Sequence, residues 1–467
     1  MAPGPLSRIA VPFPPPFPPA FDTFDILNVM KGSASLKEKG AITTARTEIF
    51  AGITTFMTMS YIIFANPAIL GMGGMPAGAV QTATCAGAAL ACLMMGLYAR
   101  YPFALAPGMG LNAFLAYTVC SGMGYPWQVG MAVVAVEGAI ITVLVVLGLR
   151  RWVMDALPLS LKHAIGVGIG LFIAFIGLKQ GGIVAGSPVS LVTMGDLTAP
   201  EAVVTMAGLL LTFTLLAYRI PGALLWGMAG ATILGDFVYR LAPLPAGLTT
   251  LVAAPDFSTF GGFASGLRQV FSLRLLPVVF AFLITDFFDT MGTVIAVGSQ
   301  AGFVDGRGRM PRLDRVLFVD SVGAMLGGIF GSSSVTTYIE SASGVAAGGR
   351  RGLTAVTVGV LFLAAMFLNP LAAAIPSPAV APSLIAVGFL MMAGVAKIAW
   401  HRLEDGAPAF LVVLLMPLTF SISTGIGWGV LAYVAIMSLR GKPGSIHPVM
   451  WITAAMFAVA FSPLVPR

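Results

Sequence analysis

Apolar runs of roughly 18 or more residues recur along nearly the whole chain, each long enough to cross a hydrocarbon core of about 30 Å as a helix. Only 9% of the 467 residues are charged, too few to cover a soluble protein of this length. The alternating ten-residue pattern of membrane β-barrel strands is absent. The sequence therefore predicts an all-α polytopic membrane protein. Seven spans are predicted near residues 50–70, 77–99, 103–120, 126–149, 162–179, 201–218 and 220–239. After a long connection, seven more follow near 271–299, 316–331, 334–349, 352–374, 381–397, 407–422 and 425–439. An odd number of spans per half makes corresponding helices run in opposite directions, which is the arithmetic of an inverted repeat.

Lys and Arg number 25 against 18 Asp and Glu, a balance that in a soluble protein would raise the question of nucleic acid. Their placement answers it. With the N-terminus cytoplasmic, the inner connections hold Lys31, Lys37, Lys39, Arg46, Arg100, Arg150, Arg151, Lys162, Arg219, Arg307, Arg309, Arg312, Arg315, Arg350, Arg351, Lys397, Arg402, Arg440 and Lys442. The outer ones hold only Lys179, Arg240, Arg268 and Arg274, with Arg8 and Arg467 in the tails. Positive charge on cytoplasmic loops sets orientation, and no nucleic-acid partner is implied. The partner is the lipid bilayer of the cytoplasmic membrane. Residues 1–20 contain eight prolines, which interrupt any signal-peptide core; this arm is expected to be disordered, with Met30 as an alternative start. The resulting organisation is a Pro-rich, basic cytoplasmic arm (1–45), a first transmembrane repeat (46–240), an extracytoplasmic connection (241–270), a second repeat (271–440) and a hydrophobic tail (441–467). An apolar stretch near 447–463 either crosses the membrane or lies on it.

Two spans read poorly as plain helices, and both are third in their half. FALAPGMGLNAFLAYTV, from Phe103, carries Pro107, Gly108 and Gly110 in its middle, where a helix loses a hydrogen bond and stiffness. GSSSVTTYIESASG, from Gly331 to Gly344, is dense in small hydroxyl and glycine residues around Glu340. Matching interrupted segments are the sequence pointer to a transporter's mid-membrane binding site, because non-helical backbone survives at that depth only where it lines a cavity or is buried in protein.

Five acids within predicted spans are singled out: Glu137, Asp286, Asp289, Asp320 and Glu340. No Lys or Arg lies at comparable depth. An unpaired carboxyl in low dielectric takes up a proton, binds a cation or accepts hydrogen bonds from a ligand, and each outcome points to cation-coupled transport. Asp286 and Asp289 in LITDFFDTMGTVIAVG are spaced i, i+3, which puts both near one helix face with Thr293 a turn beyond. Glu137 and Asp320 are read as structural or gating hydrogen-bonders, and Asn112 as a group that donates and accepts or joins helices. His163, beside Lys162 at the start of the fifth span, reads as interfacial. Cys85, Cys92 and Cys120 show no CxxC spacing, so neither a disulfide framework nor a metal site is indicated, and no cofactor is called for. Walker A, HExxH and GxSxG motifs are absent, which argues against an enzyme.

TEIFAGITTFMTMSYIIFANPAIL (47–70), APGMGLNAFLAYTV (106–119), DFFDTMGTVIAVGSQAG (286–302) and SSSVTTYIESASGVAAGGRRGLTAV (332–356) resemble, in this order, the AzgA-like purine permeases of the nucleobase:cation symporter group, which also contains the uracil and xanthine permeases. The resemblance covers about residues 40–450. It implies a core of spans 1–4 and 8–11 and a gate of spans 5–7 and 12–14, with a short strand before a helix in spans 3 and 10. It also implies proton-coupled uptake of hypoxanthine, guanine or adenine, with sodium as the alternative coupling ion, and a homodimer. Carried onto this chain, the resemblance makes Asp289 the span-8 ligand with Asp286 close second. Glu340 becomes the span-10 ligand, and Gly110, Leu111, Asn112, Ala113, Thr337 and Ser341 complete the pocket. Asp286, Asp289 and Glu340 would be the proton-coupling candidates, and Glu137, Asp320 and Thr293 would serve gating or structure. An anion transporter of the sulfate-permease type shares this fold but calls for positive charge or bare helix N-termini rather than acids. An ion channel would lack saturable, concentrative uptake.

Overall fold

The computed structural model describes residues 44–148, 157–188, 190–241, 252–304, 310–368, 370 and 374–462. The proline-rich arm, most of the 241–270 connection's first half and Arg150, Arg151, Arg307 and Arg309 lie outside the described residues. Nearly every element is a helix, because a chain in hydrocarbon has to satisfy its backbone N–H and C=O groups within itself. The first half runs α1 (Ala45–Met59), α2 (Ile62–Gly71), α3 (Ala77–Met94), β1 (Leu105–Pro107), α4 (Met109–Ala113) continued by π turns over Phe114–Gly122, α5 (Trp127–Val146), α6 (Leu159–Gln180), the hairpin β2 (Val184–Ser187) and β3 (Leu191–Met194), α7 (Pro200–Ala217) and α8 (Ala223–Tyr239). The second half runs α9 (Leu267–Val270), α10 (Leu276–Gln300), α11 (Leu313–Phe330), β4 (Val335–Thr337), α12 (Ser341–Ala346), α13 (Gly352–Ala365), α14 (Ser377–Met391) with a 3-10 extension to Lys397, α15 (Leu403–Thr419), α16 (Ile422–Leu439) and α17 (Pro448–Phe461).

Among the described residues, eight helices are long and apolar enough to cross a membrane unaided. The third and tenth spans are not among them, since each is a three-residue strand followed by a short helix. The sequence places both breaks correctly. It misses another, at Ser60 and Tyr61, where the first span divides into α1 and α2. The apolar stretch after the fourteenth span forms α17, which packs on α16 and α10.

β1 and β4 pair antiparallel, Leu105 with Thr337, Ala106 with Thr336 and Pro107 with Val335. Two such strands alone would be marginal; here flanking bonds extend the pairing. Gly108 N–H donates to Ser334 O and Tyr338 N–H to Ala104 O, both at 2.9 Å, and Tyr338 Oη donates to Pro107 O. Leu105 N–H finds the Cys92 sulfur at 3.1 Å, so one of the buried cysteines closes a strand edge. Gly331, at φ 91°, and Ser333, at φ 69°, turn the chain from α11 into β4. Asn66 Nδ2 then ties that turn to the first repeat by donating to Ser332 O at 2.9 Å and Thr84 Oγ1 at 2.8 Å.

The helices sort into two bodies. In one, α5 packs on α11, and α13 packs on α1 and α3; in the other, α14 packs on α6, α7 and α8, while α15 packs on α6 and α16. These are the core and the gate. They meet along α4 and α10 on the core side and α6 and α16 on the gate side. Gly110 of α4 makes the closest approach possible: a Cβ there would lie 2.6 Å from Ile169 Cγ2 of α6.

Candidate functional site

A cavity of about 300 Å³ lies on this seam, at the small end of the range for small-molecule sites. Its floor is the strand pair and the starts of the two short helices: Gly108, Met109, Gly110 and Leu111 from one break, Thr337, Tyr338, Ile339 and Glu340 from the other. α10 supplies one wall through Thr285, Phe288, Asp289, Gly292 and Thr293. The gate supplies the opposite wall from α6 (Lys162 to Ile169) and α14 (Val387, Met391).

The five acids separate by their surroundings. Asp289 is exposed to the cavity and Glu340 is half-buried at its edge. Glu340 Oε1 accepts a 3.0 Å bond from Tyr61 Oη, so the tyrosine at the α1–α2 break holds one carboxylate oxygen. Asp320 is buried and fully engaged: Oδ1 accepts from Thr337 N and Thr337 Oγ1, each at 2.8 Å, and Oδ2 from Thr290 Oγ1 at 2.6 Å. It fastens β4 to α10 and α11. Glu137 and Asp286 are 0% and 1% exposed and face each other from α5 and α10, bonded to no hydroxyl or backbone N–H.

Of the sequence-predicted ligands, the structure brings Asp289, Glu340, Gly110, Leu111 and Thr337 to one cavity, and Thr293 with them. It does not bring Asp286, Asn112, Ala113 or Ser341 there. Asp286 lies one helix face away. Asn112 is buried with both amide atoms unbonded, Ala113 is buried beside it, and Ser341 Oγ is occupied in accepting Ala104 N–H at 2.9 Å. Tyr61 and Phe288 line the cavity without having been singled out, and Lys162 and His163, placed at an interface by sequence, line it too. Lys162 Nζ sits 4.6 Å above the Phe288 ring, so two residues of the cavity wall are already in register for a cation–π contact. His163 is in the cavity lining rather than at a bare interface. Among the described residues no cluster of His, Cys, Asp and Glu has the geometry of a metal site.

Two broken spans that cross beside a cavity where core meets gate are the arrangement expected of a membrane permease. The model of the permease family named for xanthine and uracil permeases matches residues 46–427, and the chain belongs to that family. It is 42% identical to the adenine permease AdeP of Escherichia coli, over 90% of this chain and 93% of the other. It is 41% identical to the guanine/hypoxanthine permease PbuG of Bacillus subtilis, over 90% and 97%. Among solved structures, the transmembrane domain of the cyanobacterial bicarbonate transporter BicA superposes with a TM-score of 0.56 at 16% identity, over 90% of this chain and 98% of that one, a likeness of fold alone. The protein is thus a multi-pass membrane permease and not an enzyme.

Proposed function

We propose that the chain imports purine nucleobases, hypoxanthine, guanine or adenine, across the cytoplasmic membrane together with a proton. Residues 46–240 and 271–440 act as its two repeats, and the N-terminus is on the cytoplasmic side. The observation that carries this reading is the pair of acids on one cavity, Asp289 from α10 and Glu340 from the second break, facing the glycine backbone of the first break. A purine presents N–H donors beside ring acceptors. Carboxylates take the donors, and hydroxyls such as Thr293 serve the acceptors. Asp289 and Glu340 are the proposed base ligands, with Gly110, Leu111 and Thr337 shaping the pocket. The relatives named for adenine and for guanine and hypoxanthine support the substrate class. Two carboxylates on the cavity disfavour an anion as cargo despite the bicarbonate-transporter fold.

Protonation of a cavity acid alongside base binding would leave the loaded site with less charge to carry through the bilayer. Radiolabelled hypoxanthine, guanine and adenine uptake by expressing cells, with and without a protonophore, tests both halves of the reading. Saturable accumulation that collapses with the protonophore is expected. Accumulation indifferent to it, but dependent on sodium, would replace the coupling ion. Absence of uptake for all three bases would refute the substrate class.

A further inference from the structure

A second cavity, of about 370 Å³, lies on the same core–gate seam. It is lined by Arg274 just before α10, the end of the third span (Thr118), Phe420 of the α15–α16 turn, the first turn of α16 (Ser423, Thr424) and α17 (Phe457, Phe461). Along α10, Val278 of this cavity and Asp289 of the first are eleven residues apart, about 16 Å of helix. The two cavities therefore sit at different depths along one path.

An aromatic plug borders the second cavity, one helical turn along α6 from Ile169 of the first. Phe420, at the α15–α16 turn, has its ring centroid 5.7 Å from Phe172 and 5.4 Å from Phe175 of α6, and 6.1 Å from Tyr117 of the third span. Core and gate are also bonded to each other here: Thr118 Oγ1 donates to Phe420 O at 3.3 Å, and Gln180 Nε2 to Tyr117 Oη at 2.8 Å. Phe420 holds a left-handed backbone, φ 51°, which a bulky side chain adopts only when its surroundings impose it. With the basic connections cytoplasmic, the plug closes the outer side of the first cavity.

Arg274 gives the second cavity its chemistry. Its guanidinium lies 5.6 Å from the Tyr125 ring and has no carboxylate partner among the described residues, so its donors are free towards the cavity. Hydroxyls of Thr118, Ser423 and Thr424 and the rings of Phe457 and Phe461 complete a lining that suits a flat, hydrogen-bonding solute. A guanidinium fork matches the adjacent O6 and N7 acceptors of a 6-oxopurine; adenine offers a donor at position 6 instead.

We propose that this cavity is an outer vestibule that captures 6-oxopurines through Arg274 and the Phe457–Phe461 face before the Phe420 plug opens. The inference rests on the proposed purine transport and deepens it. Influx and efflux kinetics of labelled hypoxanthine and adenine, in vesicles of both orientations carrying wild type, Arg274→Ala or Phe461→Ala, test it, with Thr424→Val as a milder variant should either fail to reach the membrane. The expected result is a hypoxanthine influx KM about tenfold higher at unaltered influx Vmax, less changed for adenine, with efflux Vmax/KM falling in the same proportion, as equilibrium across a carrier requires. An unchanged influx KM would overturn the proposal. So would equal changes for hypoxanthine and adenine, the mark of a general packing defect, or a lower influx Vmax at constant KM, the mark of a lipid in the cavity. If wild type transports none of the bases, the purine reading itself fails; if wild type transports them and the variants match it, only the vestibule fails.

Discussion

The two breaks, Leu105–Ala113 in the first repeat and Val335–Ala346 in the second, have one architecture and different chemistry. Each is a three-residue strand leading into a short helix, and the two strands pair with each other. The first break brings glycine backbone and Leu111 to the cavity and no charge. The second brings Thr337, Tyr338 and Glu340. The imbalance extends beyond the breaks: the buried acids of the first repeat, Glu48, Glu137 and Asp236, all lie away from the cavity. An inverted repeat thus fixes where two backbones meet. The first break shapes the contact with the gate, while the second supplies polar groups that would read a ligand.

Substitutions in the second break and at Asp289 should therefore remove binding, and those in the first break should mainly slow movement. Glu340→Gln and Asp289→Asn are expected to have the largest effect. Loss of a charged hydrogen bond costs roughly 1.5–3 kcal/mol, about 10- to 100-fold in affinity. Base binding to purified protein measures it directly, and a variant that binds normally would end the assignment of that acid. Gly110→Ala should follow. Its Cβ would meet Ile169 Cγ2 at 2.6 Å, and Ile is stiff at χ1, so overpacking of about 1–3 kcal/mol falls on the core–gate contact. Vmax should drop about tenfold with base affinity kept; lost affinity at normal Vmax would erase the distinction between the breaks. Tyr61→Phe should be mildest. It removes one neutral donor from Glu340, worth about 0.5–1.5 kcal/mol, a two- to tenfold rise in uptake KM. An effect on Vmax alone would show that Tyr61 serves the α1–α2 break rather than the carboxylate.

Much of this arrangement is legible in the sequence for definite reasons. Pro107, Gly108 and Gly110, and the run from Gly331 to Gly344, interrupt apolar segments with residues that cannot sustain a helix, so both breaks announce themselves. The break at Ser60 and Tyr61 does not, because neither residue is a helix breaker; the tyrosine bonded to Glu340 is consequently invisible to pattern. The acids stand out by charge, but their roles do not. An i, i+3 spacing leaves two side chains about 60° apart around a helix, enough to turn Asp289 into the cavity and Asp286 towards Glu137. Asp320 looks equally lone in sequence, yet its partners Thr290 and Thr337 come from another helix and a strand. Lys162 and His163 read as interfacial by position and reach the cavity because α6 packs against the core at its first turns.

The cavity's identity as the base site can be tested without relying on transport rates. Gly292 lines it on α10, where an added Cβ would meet no atom within 4 Å, while the native Cys85, Cys92 and Cys120 are all buried. In Gly292→Cys, a membrane-permeant maleimide is expected to label the new thiol, and the transported base to slow that labelling in proportion to occupancy. Labelling at the same rate with and without saturating base, in a variant that still transports, would contradict the assignment of this cavity as the base site.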